Sequence, residues 1–319
     1  MKELSVVITI LNEEENIAPL AEAIRNALEG YSYEVIFVDD GSTDKSVEAI
    51  KKLYDPHVRL VRLRKNYGQS VAMAAGIDFA QGEYVALLDG DLQNDPADIP
   101  FMLEKLKNED WDVVAGNRRN RQDGAMLRKL PSRIANSLIR RYTGVRIKDY
   151  GCTLKVFKGD IAKHLDLYGE LHRFIPVLAS LQGARITQVD VKHHARRFGK
   201  SKYGINRTLK VSSDLMLVVF LQRYLRKPMH LFGGIGVLLL LPGVGILLYL
   251  LTIKIMGHDI WGKPLLILGV LLVILGVLFI MMGIMTELLM RIYYGTGGRQ
   301  LYQVKEVFDG KKESKVGSC

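Results

Sequence analysis

Two uncharged apolar runs in the last third of the chain constrain its fold more than any other feature of the sequence. Residues 231–253 and 265–286 contain no Asp, Glu, Lys or Arg. A membrane-spanning helix needs about 20 apolar residues, so both runs are long enough. A buried helix of a soluble protein is rarely so uniformly apolar. The sequence therefore predicts two transmembrane helices, at about 231–253 and 265–287, and Pro242 in the first is compatible with a membrane helix.

Basic residues flank this pair of runs on both sides. They are Arg223, Arg226 and Lys227 before the first run, and Arg291, Arg299 and Lys305 after the second. Lys and Arg are enriched on the cytoplasmic side of membrane helices. We therefore expect an integral membrane protein whose N-terminal domain and both termini are cytoplasmic.

Short apolar segments alternate with amphipathic helical patterns in the first 120 residues. Strands are predicted at Leu4–Ile10, Tyr33–Asp39, Val58–Leu63, 84–88 and 112–116, with helices near 14–29, 44–53, 69–80 and 97–108. This alternation, with apolar strands, predicts an α/β fold with a mostly parallel sheet that is covered on both faces. Ligands of such sheets bind beyond the carboxyl ends of the strands.

The pattern is less regular after residue 118. Residues 127–142 and 206–226 form amphipathic patterns with one basic side, which is typical of helices that lie on a membrane surface or that cover a sheet. A short pair of strands is predicted at 152–157 and 185–193.

The positive charge is concentrated in two blocks. The net charge is +10, yet residues 118–148 hold ten Lys and Arg against one acid, and residues 192–227 hold ten against one. The rest of the chain therefore carries 10 − 18 = −8. Such blocks indicate a polyanionic partner, either nucleic acid or anionic lipid, although a solvated basic face is an alternative.

The strongest motif, Asp89-Gly90-Asp91-Leu92-Gln93, follows the fourth predicted strand. Two carboxylates separated by glycine can share one divalent cation, because glycine permits a tight turn. A cation held in this way can also bind a diphosphate. The motif alone is equally compatible with a generic acidic turn, but its place after a buried strand favours a metal site.

Polar clusters follow the other three strands as well. They are residues 12–16, 38–44 and 64–68, which read Asn-Glu-Glu-Glu-Asn, Val-Asp-Asp-Gly-Ser-Thr-Asp and Arg-Lys-Asn-Tyr-Gly. Acids at these positions can accept hydrogen bonds from ribose hydroxyls or from a base N–H. Four consecutive polar strand ends predict one composite binding site.

Taken together, residues 8–14, 38–44, 66–68 and 89–93 resemble family 2 inverting glycosyltransferases of the GT-A fold. Within that family the chain is similar, over nearly its whole length, to the dolichol-phosphate mannose synthase group and its bacterial two-span undecaprenyl-phosphate branch. The resemblance implies transfer of a sugar from a nucleotide sugar to a polyisoprenyl phosphate at the cytoplasmic face of a bacterial plasma membrane. It also implies Mg²⁺ or Mn²⁺ as cofactor.

The resemblance further implies a division of the chain and roles for matching residues. Residues 1–205 form the GT-A domain, 206–228 an interfacial helix, 229–290 the two-helix anchor and 291–319 a cytosolic tail. The implied metal ligands are Asp89, Asp91 and Gln93. The implied contacts of the donor nucleotide are Thr9, Leu11, Asn12, Glu13, Asp39, Asp40 and Lys65. The implied contacts of the acceptor phosphate are Arg118, Arg128, Ser132, Arg197, Lys200 and Lys202. Arg133 is an alternative to Arg128.

Asp149 matches a residue that is sometimes assigned as a catalytic base. A phosphate monoester has a second pKa of about 6 and is already largely dianionic, so a structural role for Asp149 is the alternative.

Several choices stay open at this point. UDP-glucose is the expected donor, with GDP-mannose, UDP-GlcNAc or a modified arabinose as alternatives. Thr9 and Leu11 replace residues that are often Pro and Tyr in the family, which leaves the base undecided. A homo-oligomer is compatible with the resemblance, and a nucleic-acid partner is not expected. The rival functions are a processive polysaccharide synthase, whose Gln-x-x-Arg-Trp motif is not matched by Gln222-Arg-Tyr-Leu, and a non-catalytic membrane scaffold.

Overall fold

The chain consists of two units, Met1–Val219 with Gln300–Cys319 and Phe220–Arg299. The computed structural model describes residues 2–118, 145, 147–196, 198, 228–295, 301–310 and 312–314. The predicted helix at 127–142 lies outside these residues, and so does the predicted interfacial helix at 206–228 except for residue 228.

A nine-stranded sheet forms the first unit. Its strands are β1 Leu4–Ile10, β2 Tyr33–Asp39, β3 Val58–Leu63, β4 Tyr84–Asp89, β5 Val113–Asn117, β6 Lys155–Lys158, β7 Ile186–Asp190, β8 Val304–Asp309 and β9 Lys312–Ser314. Their order in the sheet is β7-β5-β6-β4-β1-β2-β3-β8-β9. The strands β1 to β4 are mutually parallel and almost entirely buried. This confirms the first four predicted strands to within a residue, and β5 begins one residue later than expected.

Helices cover both faces of the sheet, as the alternation predicts. In the described part of this unit the α-helices are α1 Glu14–Ala27, α2 Ser46–Lys51, α3 Gln69–Phe79, α4 Ile99–Asn108, α5 Gly159–Lys163 and α6 Ile175–Leu181. Leu20 of α1 and Met102 of α4 belong to one buried cluster, and Met73 of α3 and Val177 of α6 belong to the other. The two clusters lie on opposite faces because alternate residues of each strand point to opposite sides.

The predicted pairing of the two strands after residue 150 is wrong. Both strands form, but β5 lies between them: β6 is antiparallel to β4 and β5, and β7 is parallel to β5. An apolar pattern marks a segment as a strand without specifying its neighbours. The strand β5 can pair along both of its edges: β6 pairs with one edge and β7 with the other.

The strand β8 was not predicted, because the sequence analysis assigned only a tail after the apolar runs. It pairs antiparallel with β3. Arg59 Nε lies 2.5 Å from Asp309 Oδ1, and the hydroxyl of Tyr302 donates to Asp78 Oδ2 at 2.7 Å. Residues on both sides of the two apolar helices therefore belong to one sheet.

The second unit is a pair of long helices, α7 Pro228–Ile255 and α8 Pro264–Gly295. Their apolar parts, of 27 and 26 residues with mean hydropathies of 2.4 and 3.2, are long enough to cross a membrane. Glycines bring the helices together: a Cβ on Gly276 would lie 2.8 Å from the carbonyl oxygen of Gly236. Since Gly269, Gly276 and Gly283 recur every seven residues, they form one close-packed stripe on α8.

This packing predicts different effects for valine at two glycines. We expect Gly276→Val to lower the melting temperature of the detergent-solubilised protein by several degrees, because overpacking costs about 1–3 kcal/mol. Gly245→Val is the matched control, since no atom lies within 4 Å of a Cβ built on Gly245. Equal melting temperatures for the two variants would contradict this packing.

Candidate active site

The loops after β1 and β2 are joined by hydrogen bonds to side chains. Asn12, in the left-handed region at φ 53°, accepts at Oδ1 from the backbone N–H of Thr43 at 2.8 Å. Its own N–H donates to Ser42 Oγ at 2.9 Å, and the N–H of Glu13 donates to Ser46 Oγ at 2.9 Å. Asn12, predicted as a contact of the nucleotide, thus also holds the two loops in a fixed arrangement.

Two adjacent carboxylates end β2 and have different surroundings. Asp40 accepts from the N–H groups of Tyr67 at 2.7 Å and Gly68 at 2.9 Å, which joins this loop to the one after β3. Burial raises the pKa of Asp40 although these hydrogen bonds act against it. Asp39 is fully buried, and among the described residues no group donates a hydrogen bond to its Oδ2, with Arg62 Nε 3.5 Å away. The Asp39 carboxylate is therefore enclosed beside Arg62, and its contact with the donor nucleotide stays a prediction.

The metal motif begins where β4 ends. A Cβ on Gly90 would lie 2.7 Å from Ile10 Cγ2, so glycine is needed here for the close approach of β1. The left-handed residue of the turn is Leu92, at φ 60°, and the N–H of Gln93 donates to Asp91 Oδ1 at 3.2 Å. The expectation that Gly90 makes the turn is corrected: Leu92 turns the chain, and Gly90 provides space.

Asp89 is held by donors from two other loops. Its Oδ1 accepts from Gln69 Nε2 at 2.7 Å, and its Oδ2 accepts from Thr153 Oγ1 at 2.6 Å. Burial and the negative charge of Asp91 raise the pKa of Asp89 to about 6. The two carboxylates are thus close enough to repel each other, and a cation between them would relieve that repulsion.

These two carboxylates fit a hard divalent cation. Mg²⁺ is usually bound by one or two carboxylates together with substrate phosphates and water. Within the described ranges no three His, Cys, Asp or Glu side chains form a metal-binding group. A cation at Asp89 and Asp91 would therefore need further oxygen ligands, which a diphosphate supplies. The role of the Gln93 side chain as a ligand stays a prediction.

Arg118 and Asp149 form a two-point ion pair. Arg118 Nε donates to Asp149 Oδ2 at 2.7 Å and Nη2 donates to Oδ1 at 3.1 Å. Both side chains are largely buried, with 11% and 12% of their surface exposed. Burial alone would lower the pKa of Arg118, but the hydrogen bonds and charge of Asp149 raise it above its ordinary value. Arg118 therefore carries a permanent positive charge in a fixed orientation.

The turn at residues 149–153 connects this ion pair to the metal carboxylates. Asp149 at its start binds Arg118, and Thr153 at its end binds Asp89. Between them the carbonyl of Cys152 accepts from Nζ of Lys155, a fully buried lysine whose pKa is lowered by burial. One short turn thus sets the position of both groups.

Arg196 bridges the loops after β1 and β4. Its Nη2 lies 3.2 Å from Glu13 Oε1 and 3.2 Å from Asp91 Oδ2. Arg196 was not predicted from the sequence, although it directly precedes the predicted Arg197. Gln69, Thr153 and Lys155 were not predicted either. Gln69 lies next to the cluster at 64–68, and the other two lie in the segment that begins at Asp149, so their positions could have indicated a role.

The remaining predicted residues divide into two groups. Thr9 lies opposite Asp89 in the ladder between β1 and β4, Leu11 follows β1, and Lys65 is exposed with its Nζ 5.1 Å from the ring centre of Tyr67. All three lie at the same end of the sheet as the metal motif. Six predicted acceptor residues lie outside the described residues: Arg128, Ser132, Arg133, Arg197, Lys200 and Lys202.

Solved structures share the architecture of the first unit. The glucosyl-3-phosphoglycerate synthase of Mycobacterium tuberculosis, in complex with Mn²⁺, UDP and glucosyl-3-phosphoglycerate, is similar with a TM-score of 0.53 at 19% identity, over 69% of this chain and 80% of that chain. TarS of S. aureus, in complex with UDP-GlcNAc, gives a TM-score of 0.51 at 17% identity, over 68% and 66% of the two chains. These likenesses confirm the predicted GT-A fold.

Sequence relatives extend over almost the full length. The dodecaprenyl-phosphate galacturonate synthase of Rhizobium johnstonii is 45% identical over 320 residues, which are 98% of this chain and 95% of the relative. The undecaprenyl-phosphate 4-deoxy-4-formamido-L-arabinose transferase of Salmonella paratyphi B is 34% identical over 314 residues, 96% and 94% of the two chains. The family model of glycosyl transferase family 2 matches residues 5–165, from β1 through α5. With this match and these relatives, the chain belongs to glycosyl transferase family 2.

Proposed function

We propose that this protein transfers a sugar from a nucleotide sugar to a polyprenyl phosphate. The observation that carries the proposal is the connection of two sites by the turn at 149–153, which binds Asp89 of the carboxylate pair through Thr153 and Arg118 through Asp149. The carboxylate pair suits a cation and the diphosphate of a donor, and the fixed guanidinium suits the phosphate of an acceptor. Both relatives are named for a polyprenyl phosphate, which supports a lipid acceptor.

The reaction is a single displacement. An oxygen of the lipid phosphate forms a bond to the anomeric carbon while the bond from that carbon to the diphosphate oxygen breaks. The anomeric centre inverts, and a nucleoside diphosphate leaves. Asp89 and Asp91 would hold a divalent cation, which would supply positive charge to the leaving group. Arg118 draws the acceptor phosphate towards the same end of the sheet.

The donor is proposed to be a UDP-sugar. The structural neighbours bind UDP or UDP-GlcNAc, which supports this donor. Glucose is the sugar expected from the sequence, but the two relatives are named for galacturonate and for a modified arabinose. We therefore place UDP-galacturonate first in a donor panel that continues with UDP-glucose, a UDP-linked modified arabinose, UDP-GlcNAc and GDP-mannose.

Transfer by the purified protein tests this proposal. We expect one radiolabelled donor of the panel to give a chloroform-extractable product with undecaprenyl phosphate and Mn²⁺, and none when the metal is chelated. Asp91→Asn should lower this activity at least about 100-fold, because the diphosphate loses much of its electrostatic stabilisation.

Asp98→Asn is the control, because Asp98 lies outside the carboxylate pair and its Oδ2 accepts a hydrogen bond from the backbone N–H of Lys192 at 2.7 Å. A folded protein that binds Mn²⁺ and forms no lipid product from any donor would instead support the non-catalytic scaffold.

We further propose that Asp149 positions Arg118 and does not act as a base. Both of its carboxylate oxygens accept hydrogen bonds from Arg118, and the acceptor phosphate has a second pKa of about 6, so it needs no base at neutral pH.

Asp149→Asn is therefore expected to raise the KM for undecaprenyl phosphate about tenfold while kcat falls less. Asp190→Asn is the matched control, because Asp190 binds the neighbouring Asn117 at 2.6 Å and is exposed. If Asp149 were a base, Asp149→Asn would instead lower kcat and leave the KM little changed. Loss of general base catalysis lowers the rate by about 10²–10⁴.

We propose that α7 and α8 span the bacterial plasma membrane with the sheet on the cytoplasmic side. The strands β1 and β8 belong to one sheet, so the chain must leave and re-enter the same compartment, which two spans achieve. The basic residues that flank the helices favour the cytoplasm. Self-association stays a prediction from the resemblance.

Cysteine labelling of intact cells tests this orientation. A membrane-impermeant maleimide is expected to label His258→Cys, in the loop between the helices, in a Cys319→Ser background. The natural Cys319 should react only after the cells are permeabilised, and the buried Cys152 should not react in either case. Labelling of Cys319 in intact cells would reverse the orientation.

A further inference from the structure

Arg196 holds together two parts of the site that must bind different ligands. Its Nη2 contacts Glu13, at the predicted nucleoside side, and Asp91, at the metal side, each at 3.2 Å. The three side chains are largely buried, with 22%, 9% and 16% of their surface exposed. Ion pairs in such partly dry surroundings are stronger than those on an open surface.

Each carboxylate oxygen of Asp91 has a partner in this arrangement. Its Oδ1 accepts from the N–H of Gln93, and its Oδ2 faces the guanidinium of Arg196. A divalent cation that binds Oδ2 competes with Arg196 for the same oxygen. The guanidinium also offsets the repulsion between Asp91 and Asp89, which is the electrostatic task that a metal ion performs in the same place.

We propose that Arg196 acts as a built-in substitute for the metal ion and moves to the donor diphosphate when the metal binds. The exchange releases Glu13 and Asp91 together, so the nucleoside side and the metal side become available in one step. A guanidinium displaced from a carboxylate suits a phosphate oxygen. This inference rests on the proposed function, because it takes the donor to be a metal-bound nucleoside diphosphate.

The proposal makes Mn²⁺ and nucleotide binding mutually dependent. Mn²⁺ alone must displace Arg196 from Asp91 while no diphosphate is present to receive the guanidinium, and therefore binds weakly. With a diphosphate present, Arg196 gains a new partner, and each ligand strengthens the binding of the other. Arg196 is thus a binding residue for the diphosphate, and its loss should have opposite effects on the two binding reactions.

The test measures Mn²⁺ binding to the full-length protein in detergent by the electron paramagnetic resonance signal of free Mn²⁺. Without nucleotide, Arg196→Gln is expected to bind Mn²⁺ about fivefold more tightly than the wild type, because the competing ion pair is gone. With Mn²⁺ present, the same variant is expected to bind UDP about tenfold more weakly, since a charge-assisted hydrogen bond is lost.

Two variants serve as controls. Arg25→Gln removes a more exposed arginine–aspartate ion pair, between Arg25 and Asp55 at 2.9 Å, at the opposite end of the strands, and should change neither affinity. Arg196→Lys keeps the charge and should leave the affinity for Mn²⁺ alone within about twofold of the wild type.

Unchanged or weaker binding of Mn²⁺ alone to Arg196→Gln would overturn the proposal. Neither readout involves sugar transfer. Failure of the transfer assay would therefore reject the proposed function while the binding result stands. Failure of the binding test would reject the role of Arg196 while the proposed function stands.

Discussion

The repulsion between Asp89 and Asp91 is the interaction to which the rest of the site responds. Two negative charges at the end of a buried strand are costly, and burial of Asp89 increases the cost. The surrounding residues reduce it: Gln69 and Thr153 donate hydrogen bonds to Asp89, and Arg196 pairs with Asp91. The protein therefore offsets the negative charge of the pair only in part, and a bound cation would offset more of it.

Hydrogen bonds between loops make this arrangement rigid. Asn12 joins the first two strand-end loops, Asp40 joins the second to the third, and Gln69 joins the third to the fourth. Each link is a polar side chain that reaches a neighbouring loop, so the positions of the loops depend on one another. Such cross-linking places charged groups before substrate arrives, which reduces the reorganisation that the reaction requires.

The sequence predicts the first five strands and the metal motif because both depend on local patterns. A buried strand needs consecutive apolar residues, and Asp89 and Asp91 are separated by one residue. The neighbours of β6 and the existence of β8 depend on contacts between distant segments, which no local pattern records. For the same reason the bridge from Arg196 to Glu13, between residues 183 positions apart, could not be read from the sequence.

The attachment of β8 to β3 has a consequence for how the protein is made. The edge of β3 stays unpaired until the ribosome has synthesised both apolar helices and the segment that follows them. The sheet can therefore be completed only after the two helices have been synthesised, and an exposed strand edge in the interval is a site for unwanted pairing with other chains. The strands β8 and β9, which extend the sheet beyond β3, both follow the helices in the chain. Truncation at residue 228 would remove these two strands together with the helices and would leave the edge of β3 exposed.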